Sequence, residues 1–225
     1  AHAFNAMQTR IQSYIKDRAQ ILASISHDLQ TPITRMKLRV EMAEQPELRD
    51  KLLNDLDNMS RLVREGIAYA RSSESLEETS LKLELNAWVN SIACDYQDIG
   101  KNVQFQASEA RLPVVTRPQA LRRVMTNLLD NALKFGERAV IAIDDSSTEE
   151  VVIHIMDGGP GIPEAELAAV LQPFYRVETS RNRDTGGTGL GLAIAAQLTA
   201  QLEGKLKLVN RAEGGLDVSI ALPRR

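Results

Sequence analysis

Apolar residues recur at three-and-four spacing from Phe4 to Arg71, and this seam constrains the fold more than any other feature of the chain. On a wheel of about 100° per residue with Ile25 at the origin, Ile11, Ile15, Leu22, Leu29, Ile33 and Met36 fall within about 20–80°. One long amphipathic helix accommodates them all. The run breaks at Glu44, Gln45 and Pro46. Beyond it Leu48, Leu52, Leu56, Met59, Val63, Ile67 and Ala70 repeat the spacing, so a second helix turns back antiparallel. A hairpin of two helices cannot bury such a seam alone, and the expectation is dimerisation into a four-helix bundle. Pro32 removes a backbone donor and crowds the carbonyl four residues earlier, which predicts a kink in the first helix.

The pattern stops at RSSESLEETS (Arg71–Ser80), a polar stretch that reads as a linker. The expected division is a helical hairpin over 1–71, a linker over 72–80 and a second domain over 81–225. In the last of these, Leu81–Leu85, Val103–Phe105, Val140–Ile143, Val151–Met156, Lys205–Val209 and Leu216–Leu222 have the character of strands. Helices are expected over Asn86–Ile99, Pro118–Phe135 and Leu190–Leu202. Strand candidates that follow one another directly favour a largely antiparallel sheet covered by helices on one face. The fold class is therefore α+β: an antiparallel helical hairpin followed by an α/β sandwich.

Composition narrows the function. Lys and Arg number 27 against 30 Asp and Glu, so there is no basic excess to track a phosphate backbone, and 4% aromatic residues provide no stacking platform. Nucleic acid is an unpromising ligand. The single Cys, Cys94, rules out an internal disulfide and lies in an apolar stretch, which suggests a small core residue. No run reaches the length of a membrane span, and the chain opens in mid-pattern without an initiating Met. The expectation is a fragment whose membrane segments lie upstream.

Three groups of residues could carry chemistry. His27 falls near 200° on the wheel, about 155° from the centre of the seam, and so projects away from it. An imidazole with a pKa of about 6.5 keeps an unprotonated nitrogen near neutral pH and is a usable nucleophile. Asp28 could accept the other ring N–H, and Thr31 shares the face one turn later. A surface histidine and a solvated carboxylate are the plainer reading of the pair. Asn127 and Asn131 stand four apart on an amphipathic run, with Lys134 three residues further on. Two amides on a helix face where apolar residues would otherwise pack call for a partner, and their oxygens suit a hard cation such as Mg²⁺; solvated amides are the plainer reading. Finally, DGGPG (Asp157–Gly161) follows a strand and GGTGLG (Gly186–Gly191) opens a helix. Glycines admit a ligand close to the backbone, and a helix N-terminus offers N–H groups to an anion. Neither run has the spacing of a P-loop or a Rossmann site. The segment Gln172–Thr185 between them has the polar, Arg-rich character of a lid.

In order and spacing these groups resemble the bacterial sensor histidine kinases of two-component systems. SHDLQTP (Ser26–Pro32) is similar to the H box, NLLDNALKF (Asn127–Phe135) to the N box and DGGPGIP (Asp157–Pro163) to the G1 box. PFYR (Pro173–Arg176) is similar to the F box and GGTGLGLAI (Gly186–Ile194) to the G2 box. Residues 1–10 more softly resemble the end of a HAMP signalling helix. The resemblance implies a homodimeric phosphotransfer hairpin and a Bergerat-type ATP-binding domain. His27 would accept the γ-phosphoryl group, Asp28 would activate it and Thr31 would orient water in dephosphorylating the partner. Asn131 would hold Mg²⁺ beside Asn127, and Lys134 would meet the phosphates. Asp157 would read adenine in a pocket shaped by Gly159 and Gly161. Gly187, Gly189, Leu190 and Gly191 would serve the lid and phosphates, and Arg176 the lid or the phosphate charge. The implied cofactors are ATP and Mg²⁺, the implied partner is the receiver domain of a response regulator, and the implied location is the cytoplasmic side of a bacterial inner membrane. Two positions depart from the pattern: Gly158 replaces a more frequent Asn, and Gln30 a frequent basic residue. Another Bergerat-fold ATPase or serine kinase, or a dimeric scaffold with a degenerate nucleotide site, would also fit the hairpin and glycine runs.

Overall fold

The computed structural model describes residues 29–41, 45–71, 78–177 and 188–224. The described residues fall into two compact units, 29–71 in the first and 78–177 with 189–224 in the second.

In the first unit, helix α1 covers residues 29–41 and α2 runs Pro46–Arg71. Pro46 opens α2, where its missing N–H costs nothing, and Glu47 places a negative charge in the first turn. Lys37 pairs with Asp57 across the hairpin, which puts the two helices side by side. Ile33 and Leu56 are buried, and the Ser60 hydroxyl donates to the Leu56 carbonyl at 2.9 Å. Leu29, Met36, Leu48, Leu52 and Met59 of the predicted seam remain exposed on the single chain. The helix continues through Pro32, but the carbonyl it would crowd belongs to Asp28; that residue, the predicted kink and the seam positions Ile11, Ile15 and Leu22 lie outside the described residues.

In the second unit, β1 (Leu81–Glu84) pairs antiparallel with β3 (Pro113–Thr116), a short strand that no sequence expectation covered. The remaining described strands, β2 (Val103–Gln106), β4 (Ala139–Asp144), β5 (Glu150–Asp157), β6 (Lys205–Asn210) and β7 (Leu216–Pro223), form one sheet in the order β2-β4-β5-β7-β6. The β2–β4 pair is parallel and the others are antiparallel, close to the expected arrangement. Helices α3 (Leu85–Asp98), α4 (Pro118–Gly136) and α5 (Gly191–Gln201) complete the unit. Alternate residues along the central strands are buried: Ile141 and Ile143, Ile153 and Ile155, Val218 and Ile220. Leu121, Val124, Leu128 and Leu129 of α4 and Ala195 and Leu198 of α5 add to this core. Period-two burial on the strands and three-and-four burial on the helices are the signature of a sheet with one face covered.

Local chemistry fixes the helix ends. Glu84 caps α3, one carboxylate oxygen accepting from the Ala87 N–H at 2.8 Å and the other from the Leu112 N–H at 3.1 Å. The start of α4 has no cap of its own. Glu78, inside the stretch read as linker, reaches it instead and accepts from the N–H groups of Gln119 (2.7 Å) and Ala120 (3.0 Å). Cys94 corrects the expectation drawn from its apolar surroundings: it is exposed. The buried stripe of α3 is Leu85, Val89, Ile92 and Ala93, and at about 100° per residue Cys94 sits about 180° from Leu85.

Candidate functional site

Within the second unit the end of β5 meets the C-terminal turn of α4, and the first turn of α5 meets α4 further back, at Asn127. Glycines allow it. A Cβ on Gly136, at the end of α4, would lie 2.7 Å from the Gly158 nitrogen and 2.8 Å from the Asp157 Cβ. A Cβ on Gly159 would lie 2.8 Å from the Phe135 carbonyl oxygen, and one on Gly191 would lie 3.5 Å from Asn127 Oδ1. Real Cβ contacts are essentially never shorter than 3.0 Å, so the loop meets α4 only because no side chain stands at Gly136 or Gly159.

Asp157 is the last residue of β5 and is buried. Its Oδ1 accepts from the N–H groups of Gly159 at 2.8 Å and Leu216 at 3.1 Å. These two bonds occupy one carboxylate oxygen and fix the plane of the group, leaving Oδ2 available to a ligand. The Arg211 guanidinium donates to the Asp157 backbone carbonyl at 2.9 Å.

Asn127 and Asn131 are half-buried on α4. The Asn127 amide donates to the Arg123 carbonyl one turn back at 2.6 Å, which leaves its oxygen directed toward the start of α5. Asp130 lies about 100° away from Asn131 around the helix and accepts from the Tyr96 hydroxyl at 2.6 Å. Burial, together with this carboxylate, raises the pKa of the Tyr96 phenol above its ordinary value, so it remains the donor. Lys134 is exposed, with its ammonium 4.7 Å from the centre of the Phe135 ring. Among the described residues no three His, Cys, Asp or Glu side chains cluster as a metal cage. Mg²⁺ takes oxygen ligands, keeps several waters and gains phosphate oxygens from a nucleotide, so it needs few protein ligands and the half-buried Asn131 amide oxygen fits as one of them.

The F and G2 motifs also meet. The Phe174 N–H donates to the Gly189 carbonyl at 3.0 Å, and a Cβ on Gly189, whose φ is +74°, would lie 2.6 Å from the Tyr175 carbonyl oxygen. Leu190 is fully buried and its carbonyl accepts from the Ile194 N–H at 2.8 Å, setting the first turn of α5. Arg176 is half-buried at the edge of this junction. At Gly158 the departure from the resembled pattern has a structural counterpart: a Cβ there would meet the Arg138 Nε at 3.3 Å.

Asp157 and Gly159 therefore meet the C-terminal end of α4 at Phe135 and Gly136, while Gly191 at the start of α5 approaches Asn127 further back on the same helix, so α4 carries both groups within one unit. Thr31 belongs to the other unit, exposed on α1 in an open groove of about 460 Å³ shared with Gln30, Thr34, Arg35 and Leu38. His27, Asp28 and Gly187 lie outside the described residues. No motif pointed to Asn210, Arg211 or Gly215, which brace the Asp157 loop from the turn between β6 and β7. The signal available was Gly214-Gly215 between two alternating strands, the mark of a turn needing positive φ.

Comparison with known proteins places both units. Residues 116–225 match the family model for the histidine kinase-, DNA gyrase B- and HSP90-like ATPases, and residues 17–75 match that of the His Kinase A (phospho-acceptor) domain. The sensor histidine kinase GtrS of Pseudomonas aeruginosa is 41% identical over 225 residues, covering 100% of this chain and 46% of its own. The sensor histidine kinase CpxA of Escherichia coli is 30% identical over 235 residues, covering 98% and 50%. The chain thus spans about half the length of these curated relatives. Full-length ShkA in complex with AMPPNP superposes with a TM-score of 0.71 at 23% identity, over 91% of this chain and 46% of that one. The Acinetobacter baumannii histidine kinase AdeS gives 0.62 at 21% identity, over 88% and 98%. At these identities the two structures establish the fold.

Proposed function

The chain belongs to the sensor histidine kinases of two-component systems, and from that membership we propose that it carries out ATP-dependent phosphorylation of His27 and passes the phosphoryl group to an aspartate of a response regulator. The observation that supports this reading is that α4 bears both approaches, the Asp157 loop at Gly136 and the α5 N-terminus at Asn127.

Asp157 binds the adenine amino group through Oδ2, while Gly159 and Gly161 keep the loop close to the base. Phosphates lie toward α5, whose N-terminal end carries the positive end of the helix dipole at Gly189, Leu190 and Gly191, with Gly187 and Arg176 in the lid and Lys134 adding positive charge. Asn131, beside Asn127, would hold Mg²⁺ through its amide oxygen. When bound, Mg²⁺ neutralises phosphate charge as the transfer proceeds. His27 attacks the γ-phosphorus: an N–P bond forms, the bond to the bridging oxygen breaks and ADP departs. Asp28 accepts the hydrogen bond of the other ring N–H and stabilises the positive imidazole. In the second step the N–P bond breaks as a receiver carboxylate oxygen takes the phosphoryl group. Thr31, exposed on α1, orients water when the same helix dephosphorylates the regulator.

The exposed apolar residues of α1 and α2 support a homodimer built on a four-helix bundle. The domain division 1–71, 72–80 and 81–225 separates nucleophile from nucleotide, so regulation acts through domain geometry. We place this portion on the cytoplasmic side of a bacterial inner membrane, carried by segments outside this sequence; no helix among the described residues is long and apolar enough to cross a membrane itself.

Phosphotransfer profiling tests the proposal. The chain labelled with Mg-ATP is mixed with a panel of isolated receiver domains, and label is expected to leave it for the aspartate of one or a few of them. Steady phosphate release with no labelled chain would instead assign it to another class of Bergerat-fold ATPase.

A further inference from the structure

The turn between β6 and β7 holds the loop that follows β5, through contacts that no sequence motif announced. Asn210, the last residue of β6, makes two bonds to the same residue of that loop. Its Oδ1 accepts from the Ile162 N–H at 2.9 Å and its Nδ2 donates to the Ile162 carbonyl at 2.6 Å, with a further contact from Nδ2 to Glu164 Oε1 at 3.2 Å. A side-chain amide that satisfies both the donor and the acceptor of one backbone residue substitutes for a strand partner. Gly161 makes room for it: a Cβ there would lie 2.7 Å from Asn210 Oδ1. Next along the chain, Arg211 donates to the Asp157 carbonyl at 2.9 Å, and its own N–H and carbonyl close the turn onto Gly215 (3.0 Å) and Gly214 (3.1 Å). Leu216 then donates its N–H to Asp157 Oδ1. The loop from Asp157 to Ile162 is thus held at both ends by one hairpin.

We propose that Asn210 is a positioning residue for nucleotide recognition, acting with Arg211 to hold the Asp157–Ile162 loop in the conformation that binds adenine. The inference rests on the reading of Asp157 given above and gives Gly161 a second purpose, admission of the Asn210 amide. Neither residue is required to touch the nucleotide. Asn210→Ala leaves the Ile162 N–H and carbonyl without their partner, so the loop samples conformations that do not bind, and the loss falls on ATP affinity rather than on the chemical step.

The test uses the full chain and measures autophosphorylation against ATP concentration. Asn210→Ala is expected to raise the KM for ATP about tenfold while kcat at saturating ATP stays within about twofold. Amide exchange at Ile162 is expected to accelerate, and transfer of phosphate from prelabelled chain to a receiver domain to remain unchanged. Arg211→Ala removes the second tie, is expected to raise KM in the same direction, and decides the matter if Asn210→Ala does not fold. An unchanged KM in the folded variants would overturn the proposal, as would a fall in kcat, affinity and melting temperature together, which marks a purely structural role. If the wild-type chain binds no ATP, it is the reading of Asp157 that fails, and the two failures are told apart by that control.

Discussion

Gly214 and Gly215 have nearly the same φ, +93° and +91°, but different surroundings. A Cβ on Gly214 meets nothing within 4 Å, whereas one on Gly215 would lie 2.1 Å from the Asp157 carbonyl oxygen. Gly214→Ala therefore costs only conformational strain, about 1–2 kcal/mol. Gly215→Ala adds a clash with backbone at the centre of the candidate site and is expected to cost about 3 kcal/mol or more. Thermal denaturation of both variants checks this; equal losses would mean that the close approach to Asp157 has no energetic consequence. At the residue scale, then, the site is shaped as much by where side chains are missing as by the carboxylate and amides it presents. The motif glycines were legible in the sequence because they cluster. Asn210 and Arg211 were not, since their partners Ile162 and Asp157 lie about 50 residues away and only the folded hairpin brings them together.

Helix α3 shows how element-scale features separate into legible and hidden ones. Its extent followed from periodicity, to within a residue at each end. Its cap did not: Glu84 closes a strand in sequence, and its role emerges only when β1 ends against Leu112. Cys94 was misjudged for a related reason, because an apolar neighbourhood in sequence does not say which face of the helix is buried. The two backbone N–H bonds hold the Glu84 carboxyl below its ordinary value of 4.5. The unfolded chain therefore takes up the proton first, and the stabilising effect is complete above pH about 4.5 and lost as pH falls through the lower folded-state value. Glu84→Gln keeps one acceptor and turns an amide donor toward the other N–H, at a cost of about 1–2 kcal/mol near neutral pH. Denaturation measured from pH 7 down to pH 3 is expected to show the gap between wild type and variant narrowing as the medium becomes more acidic. A gap that is constant or widens would refute the capping role.

At the scale of the whole molecule, the structure has the α+β class read from the sequence, helices followed by a largely antiparallel sheet covered by helices. The hairpin exposes Leu29, Met36, Leu48, Leu52 and Met59, as expected for one half of a bundle, while the second unit buries a continuous core of its own. His27 and the glycine loops proposed to bind nucleotide belong to separate parts of the sequence, and the proposed activity requires both in one reaction. The measurement that addresses this most directly is incubation of the chain with Mg-ATP labelled at the γ-phosphate, followed by acid and alkali treatment. We expect label that is labile to acid, stable to alkali and absent from a His27→Ala chain that still binds ATP. Label retained in His27→Ala, or label resistant to acid, would contradict the assignment of His27 as phosphoacceptor.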